Sequence, residues 1–238
     1  IRLSGDKSIS HRALMLSSIS KGASQLSNLC DGADVQSTID CLKACGAKID
    51  KSGKSYTVNS SSLSNPNNPL NCRNSGTTMR LLTGLLVGQR IEAVLYGDTS
   101  LSKRPMDRII EPLKKMGANL DYINNQIVLK KSSIHGGTIL NPTPSAQVKS
   151  SIILAGLSGE ARTVLTESYN TRDHTEKMIS LHKINISVLC ASYDFPDPFQ
   201  LAIRTLSLNG KDPQRINKIK DSINKKASRG QVLGKIPY

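Results

Sequence analysis

The sequence predicts an α/β domain built from three repeats of a β-α-β-α-β-β unit, with helices packed inside and sheets outside. Three observations carry this expectation. A loop that opens an apolar helix, Gly5-Asp6-Lys7-Ser8-Ile9-Ser10-His11-Arg12 running into Ala13-Leu14-Met15-Leu16, recurs as Asn74-Ser75-Gly76-Thr77-Thr78-Met79-Arg80-Leu81-Leu82 and again as Pro144-Ser145-Ala146-Gln147-Val148-Lys149. The second helix of a unit ends in Gly-Ala twice, at Gly46-Ala47 and Gly117-Ala118, in the manner of a C-cap. A unit of this kind cannot bury its own apolar face, so the copies must pack on one another around a pseudo-threefold axis.

In the first unit the opening loop leads to a helix over about residues 8–20, then to residues 23–29, which alternate as a strand does. Residues 34–45 carry apolar side chains at helical spacing, with Asp34 as the expected cap, before two edge strands at 48–50 and 55–58. The second unit places a strand at 93–96, then a helix opened by Arg104-Pro105-Met106 that runs through Leu113 to Met116-Gly117-Ala118. The third contains the apolar helix around Ile152-Ile153-Leu154-Ala155, the strand Thr163-Val164-Leu165-Thr166 and the segment Arg172-Asp173-His174-Thr175-Glu176, but lacks the Gly-Ala ending. The expected domain spans 1–186, in repeats of about 1–68, 69–138 and 139–186, followed by a divergent basic tail at 187–238.

At 238 residues, 37% hydrophobic and 21% charged, the chain can bury one large core or two modest ones. No apolar run reaches the roughly 18 to 20 residues of a membrane-crossing helix, and no leader pattern opens the chain. Five Cys without a CxxC pair, and without His at metal-ligand spacing, favour a reduced cytoplasmic or organellar interior and no metal site. The formal charge of +14 admits nucleic acid or small anionic substrates as partners. Two Phe, six Tyr and no Trp leave few rings for stacking bases, and no zinc-finger, basic-zipper or RNP-type pattern is present. Small anions are the favoured partner.

Helix openings suit that partner, because free backbone N–H groups and the positive end of the helix dipole meet there. The three loops should gather at one end and bring together Lys7, Ser8, Arg12, Asn74, Gly76, Thr77, Arg104, Ser145, Gln147 and Arg172. Cations, hydroxyls, amides and a side-chain-free Gly can hold a phosphorylated or carboxylated small molecule, with Arg104 suited to a bidentate grip. Ser75, Ser145 and the cysteines have no His/Asp arrangement around them in sequence, which disfavours triad chemistry, and the upstream Gly of a Walker motif is absent. Plain structural duties remain for other residues. His11 reads as packed or capping, His174 as orienting a helix, Met79, Met106 and Met116 as core, and Lys130-Lys131 as a solvated strand end.

The five motifs Gly5–Arg12, Asn74–Arg80, Lys103–Met106, Pro144–Ser150 and Arg172–Glu176, in this order and spacing, resemble the 5-enolpyruvylshikimate-3-phosphate synthase (3-phosphoshikimate 1-carboxyvinyltransferase) family. Ser145-Ala146-Gln147 and Arg172-Asp173-His174-Thr175-Glu176 look like its class II branch, whose members tend to tolerate glyphosate. The resemblance implies an inside-out α/β barrel domain and transfer of the enolpyruvyl group of phosphoenolpyruvate to the 5-hydroxyl of shikimate 3-phosphate, with release of phosphate. It implies no cofactor, a cytoplasmic monomer (plastid in a plant-like source), and no nucleic-acid or membrane partner. Carried over motif by motif, Lys7 contacts both substrates and is the catalytic candidate. Ser8, Arg12, Ser145, Ala146, Gln147 and Arg172 hold shikimate 3-phosphate; Asn74, Gly76 and Arg104 hold phosphoenolpyruvate, which Gln147 also reaches.

Family members carry a second such domain, which supplies the proton-transferring Asp and Glu. Its motifs are not legible after about residue 180, and Ile1 is not an initiator Met, so the expectation is a partial or interrupted synthase that binds without turnover. The alternatives are a UDP-N-acetylglucosamine enolpyruvyl transferase, disfavoured by Lys7-Ser8 in place of Lys-Asn, and a non-catalytic anion- or RNA-binding domain of related fold.

Overall fold

The computed structural model describes residues 5–59, 62–141, 144–167, 171–181, 187–192 and 202–208. The first unit comprises α1 (Lys7–Ile19), β1 (Ala23–Ser27), α2 (Ala33–Ala44), β2 (Lys48–Ser52) and β3 (Ser55–Asn59). The second comprises β4 (Leu70–Asn71), α3 (Gly76–Gly88), β5 (Ala93–Tyr96), the short α4 (Thr99–Ser102), α5 (Asp107–Lys115), β6 (Leu120–Ile123) and β7 (Gln126–Leu129). The third comprises β8 (Gly137–Asn141), α6 (Ala146–Gly156), β9 (Thr163–Glu167), α7 (His174–Leu181), β10 (Ser187–Ser192) and β11 (Ala202–Leu208).

Each unit builds one sheet, and the strand order repeats. The second sheet runs β4-β5-β7-β6, the third β8-β9-β11-β10, and the first, β1-β3-β2, matches the last three strands of the others. Parallel pairing joins β4 to β5 and β8 to β9; every other pair is antiparallel. β3 is therefore central rather than the edge strand that sequence patterning suggested, with Thr57 opposite both Gln25 and Asp50. Its Tyr56 and Val58 are buried on the core face. β10 and β11 fall beyond residue 186, where the sequence placed the end of the domain. Yet β11 pairs with β9 from Arg204 opposite Glu167 to Leu208 opposite Thr163, so the third sheet extends to Leu208. Of the expected tail, residues 193–201 and 209–238 lie outside the described residues.

The inner position of the helices follows from their composition. Of the 13 residues of α3, only Thr77 escapes burial, and in α6 only Ala146 and Gln147 do. A helix without a polar face must be surrounded. α3 and α6 make the most extensive helix–helix contact among the described elements. A Cβ on Gly84 would lie 2.1 Å from the Ser151 carbonyl oxygen, and one on Gly88 would lie 2.7 Å from that of Ala155, so this approach admits no side chain. Met79, Met106 and Met116 are buried in the core that this packing closes.

The Gly-Ala stops behave as expected. Gly46 has φ +90° and Gly117 φ +97°, and the amides of Ala47 and Ala118 donate back to the carbonyls of Leu42 and Leu113, each at 3.0 Å. Two helix starts differ from expectation. Gly32, not Asp34, is the N-cap of α2, which leaves Asp34 in the first turn where the helix dipole favours a carboxylate. α5 begins at Asp107 with Met106 as N-cap, because the preceding residues form α4.

Candidate anion-binding site

The three inner helices open at one end, each with a side-chain cap. Asp6 accepts from the Ile9 amide, Ser75 from that of Thr78, and Ser145 from that of Val148. For Asp6 and Ser145 this capping satisfies donors that the helix start would leave open. Arg12, Arg80 and Gln147 reach across the units, while Lys7, Ser8 and Asn74 find partners within their own.

Arg12 is 2% exposed. Its Nε donates to Thr175 Oγ1 at 2.7 Å, its Nη1 to the carbonyl and hydroxyl oxygens of Ser8 at 2.9 and 2.7 Å, and its Nη2 to Ser150 Oγ at 2.6 Å. Ser8 Oγ thus accepts from Arg12 and keeps its own hydrogen to donate; His174 Nδ1 lies 3.4 Å from it. Gln147 links α6 to α3 in both directions, accepting from Arg80 Nη1 at 2.7 Å and donating to Thr77 Oγ1 at 2.9 Å. Arg104 Nη2 donates to Asn74 Oδ1, and Asn74 Nδ2 donates to Asp98 Oδ2 at 2.9 Å. At Gly76 a Cβ would stand 3.0 Å from Arg80 Nη1 and 3.2 Å from Arg104 Nη1, so a bare Cα leaves space where two guanidinium groups meet. Lys7 Nζ donates to the Asp34 carboxylate at 2.8 Å and is 55% exposed. Arg172 is exposed, while Ser145 and Ala146 are half-buried.

The structure therefore brings Ser8 and Arg12 together with the start of α7, and Asn74, Gly76, Arg104 and Gln147 around the start of α3. Sequence reasoning missed Asp34, Asp98, Arg80, Ser150 and Thr175 as partners. Arg80 could have been found, since it stands in the second copy where Arg12 stands in the first. Thr175 lies inside a motif already singled out.

Burial lowers the Arg12 pKa to about 10; Glu176 opposes the shift and Arg172 adds to it. Arg12 keeps its charge at neutral pH. Burial is also the main cause of lowering at Arg80, followed by Arg108 and Arg104. His11 is pushed down to about 4, chiefly by burial, with Lys7 and Arg12 lowering it further and Asp34 opposing. It is therefore a neutral, packed residue whose Nδ1 meets Thr38 Oγ1 at 2.7 Å. Among the described residues no group of three or more His, Cys, Asp or Glu could hold a metal ion, and no helix is long and apolar enough to cross a membrane.

A cleft of about 520 Å³ lies between the β2–β3 hairpin and the start of α2, lined by Asn28, Cys30, Gln36, Lys51, Lys54 and Tyr56 among others. None of the site residues lines it.

An inside-out α/β barrel of three units, with helix openings that present guanidinium, ammonium, amide and hydroxyl groups at one end, defines a domain of the enolpyruvyl transferase class. The family EPSP synthase (3-phosphoshikimate 1-carboxyvinyltransferase) matches residues 1–192. The 3-phosphoshikimate 1-carboxyvinyltransferase of Alkaliphilus metalliredigens is 47% identical over 190 residues, which is 77% of this chain and 45% of that protein. That of Roseiflexus sp. is 41% identical over 217 residues, 87% of this chain and 50% of the relative. The solved EPSP synthase of Acinetobacter baumannii matches with a TM-score of 0.77 at 33% identity, over 89% of this chain and 47% of that one. The chain belongs to the EPSP synthase family. It spans about half the length of the curated relatives it matches.

Proposed function

We propose that this chain supplies the substrate-gripping half of an enolpyruvyl transferase, which moves the enolpyruvyl group of phosphoenolpyruvate to the 5-hydroxyl of shikimate 3-phosphate and releases phosphate. The observation that supports this most is the meeting of three helix openings at one end, tied across units by Arg12, Arg80 and Gln147. Ser8, Arg12, Ser145, Ala146, Gln147 and Arg172 take the shikimate 3-phosphate side. Asn74, Gly76 and Arg104 take phosphoenolpyruvate, with Gln147 between the two. Lys7 can release Asp34 and place its ammonium between both anions, because an exposed ion pair is worth little.

The reaction needs a proton delivered to the methylene carbon, stabilisation of a cationic and then tetrahedral centre, and a base for the attacking hydroxyl. Of the carboxylates at this end, Asp34 is engaged by Lys7 and Asp98 by Asn74. We assign proton transfer to the half of the relatives' length that this chain does not span. The reaction as read requires no metal or organic cofactor. We read the chain as a cytoplasmic monomer; the free thiols of Cys30, Cys41, Cys45 and Cys72 support a reducing compartment.

Calorimetric titration of the chain with shikimate 3-phosphate tests the binding half. Saturable heat should appear for the wild type and fall at least tenfold in affinity for Lys7→Ala and Arg172→Ala; equal heats in all three proteins would overturn the assignment. Co-expression with the C-terminal half of a relative, scored by growth of an aromatic-requiring host, tests the transfer reaction.

A further inference from the structure

We infer that Lys149, Glu167 and Glu176 form a buried buttress that fixes Arg12 and the Arg172 segment against the α1 opening, making Lys149 and Glu176 positioning residues for the shikimate-side anion. The inference rests on the binding role proposed above for Arg12 and Arg172.

Lys149 is fully buried, yet it is an ammonium. Its Nζ lies 3.0 Å from Glu167 Oε2 and 2.7 Å from Glu176 Oε1, and donates to the Thr171 carbonyl at 3.3 Å. Glu167 Oε1 in turn accepts from Thr171 Oγ1 at 2.9 Å and Asn141 Nδ2 at 3.2 Å. Thr171 and Glu176 flank Arg172 on either side. The residue next to Glu176, Thr175, accepts from Arg12 Nε and donates to Ser150 Oγ, each at 2.7 Å. Apart from the tie from Asn141 on β8 to Glu167, the network therefore ends on the segment that carries Arg172 or on Arg12 itself.

Charge balance favours this reading over mere packing. Lys149 and Arg12 are two buried cations, Glu167 and Glu176 two buried anions. Apolar side chains of similar volume would fill the same space without the cost of removing four ions from water. Apolar side chains could not, however, orient a guanidinium or hold a loop at both ends. Glu176 also offsets part of the effect of burial on Arg12. Asp34 and Glu176 are both acidic residues in the first turn of a unit's second helix. In the first unit the acid serves the exposed Lys7; in the third it is buried beneath the site.

The test uses the chain itself, with Glu176→Gln, Lys149→Met, Lys149→Arg and Thr175→Val. Without ligand, the Arg12 Nε–H resonance, assigned by its loss in Arg12→Lys, should be protected in the wild type and in Lys149→Arg. It should be lost to exchange in Glu176→Gln and Lys149→Met. With shikimate 3-phosphate, Glu176→Gln should weaken binding at least tenfold, and Glu176→Gln combined with Arg12→Lys should bind no worse than Arg12→Lys alone. An unchanged Arg12 signal in Glu176→Gln, or losses that simply add, would overturn the buttress. If the wild type binds no shikimate 3-phosphate, the functional reading fails while the Arg12 signal still decides the positioning role. Should Lys149→Met fail to fold, Thr175→Val breaks the link to Arg12 without exposing a buried charge and must give the same loss of signal.

Discussion

Two seams between the repeat units are filled by opposite chemistry. Where α1 meets α2 and α3, His11 Nδ1, Thr38 Oγ1 and Thr78 Oγ1 form a neutral chain with spacings of 2.7 and 2.8 Å. Where α1 meets α6 and α7, the buried groups are Arg12, Lys149, Glu167 and Glu176. The neutral seam holds three helices together with no counter-charge, because burial keeps His11 unprotonated. The charged seam is stable only when complete, since any member left alone is an uncompensated ion in a dry interior. The difference shows where this fold spends stability on direction: beside the expected shikimate-side residues, and not on the far side of α1.

Removing one ion should break the charged seam most severely. Lys149→Met is expected to destabilise the chain by about 3–5 kcal/mol in denaturant titration, and adding Glu167→Gln and Glu176→Gln should recover part of that loss. The neutral seam is vulnerable to acid instead. The folded-state pKa of His11 lies near 4, below its ordinary 6.5, so the unfolded chain binds the proton first and stability falls as pH drops through that window. The full loss is roughly 3 kcal/mol, and His11→Gln should flatten this limb of the stability–pH curve. Both seams depend on the α3–α6 contact. Gly84→Ala, whose Cβ would meet the Ser151 carbonyl, should cost about 1–3 kcal/mol without changing the pH dependence. The exposed pair Lys114–Asp121 lies in neither seam, so Asp121→Asn should leave the denaturation midpoint where it is.

Much of this arrangement was legible in the chain. The Gly-Ala stops announced their left-handed caps, and the apolar runs of α3 and α6 announced buried helices. The repetition of the opening loop announced the convergence of its three copies, because like units packed around one axis place like loops at one end. Sequence patterning read β3 as an edge strand, since alternation reports which face is buried and not how many neighbours a strand has. Asp34 was mistaken for a cap because Asp before an apolar run is a cap signal, and only the path of the preceding chain made Gly32 the cap. Lys149 lies in the third opening loop and Glu176 in the Arg172 motif, but nothing in their spacing marks them as buried, as ionic residues are expected at the surface unless a partner is seen.

The sequence by itself determined the repeat, the inner helices, the cationic opening loops and the family they resemble. These are local properties, written in spacing and side-chain type. Tertiary structure alone decided who pairs with whom: Arg12 with Thr175 across 163 positions, Gln147 with Thr77 across 70, and Lys149 with two carboxylates that no helical or strand periodicity brings near it. Such pairings follow from packing three units about one axis, which places distant residues in contact and makes a buried charge permissible only where its opposite happens to arrive.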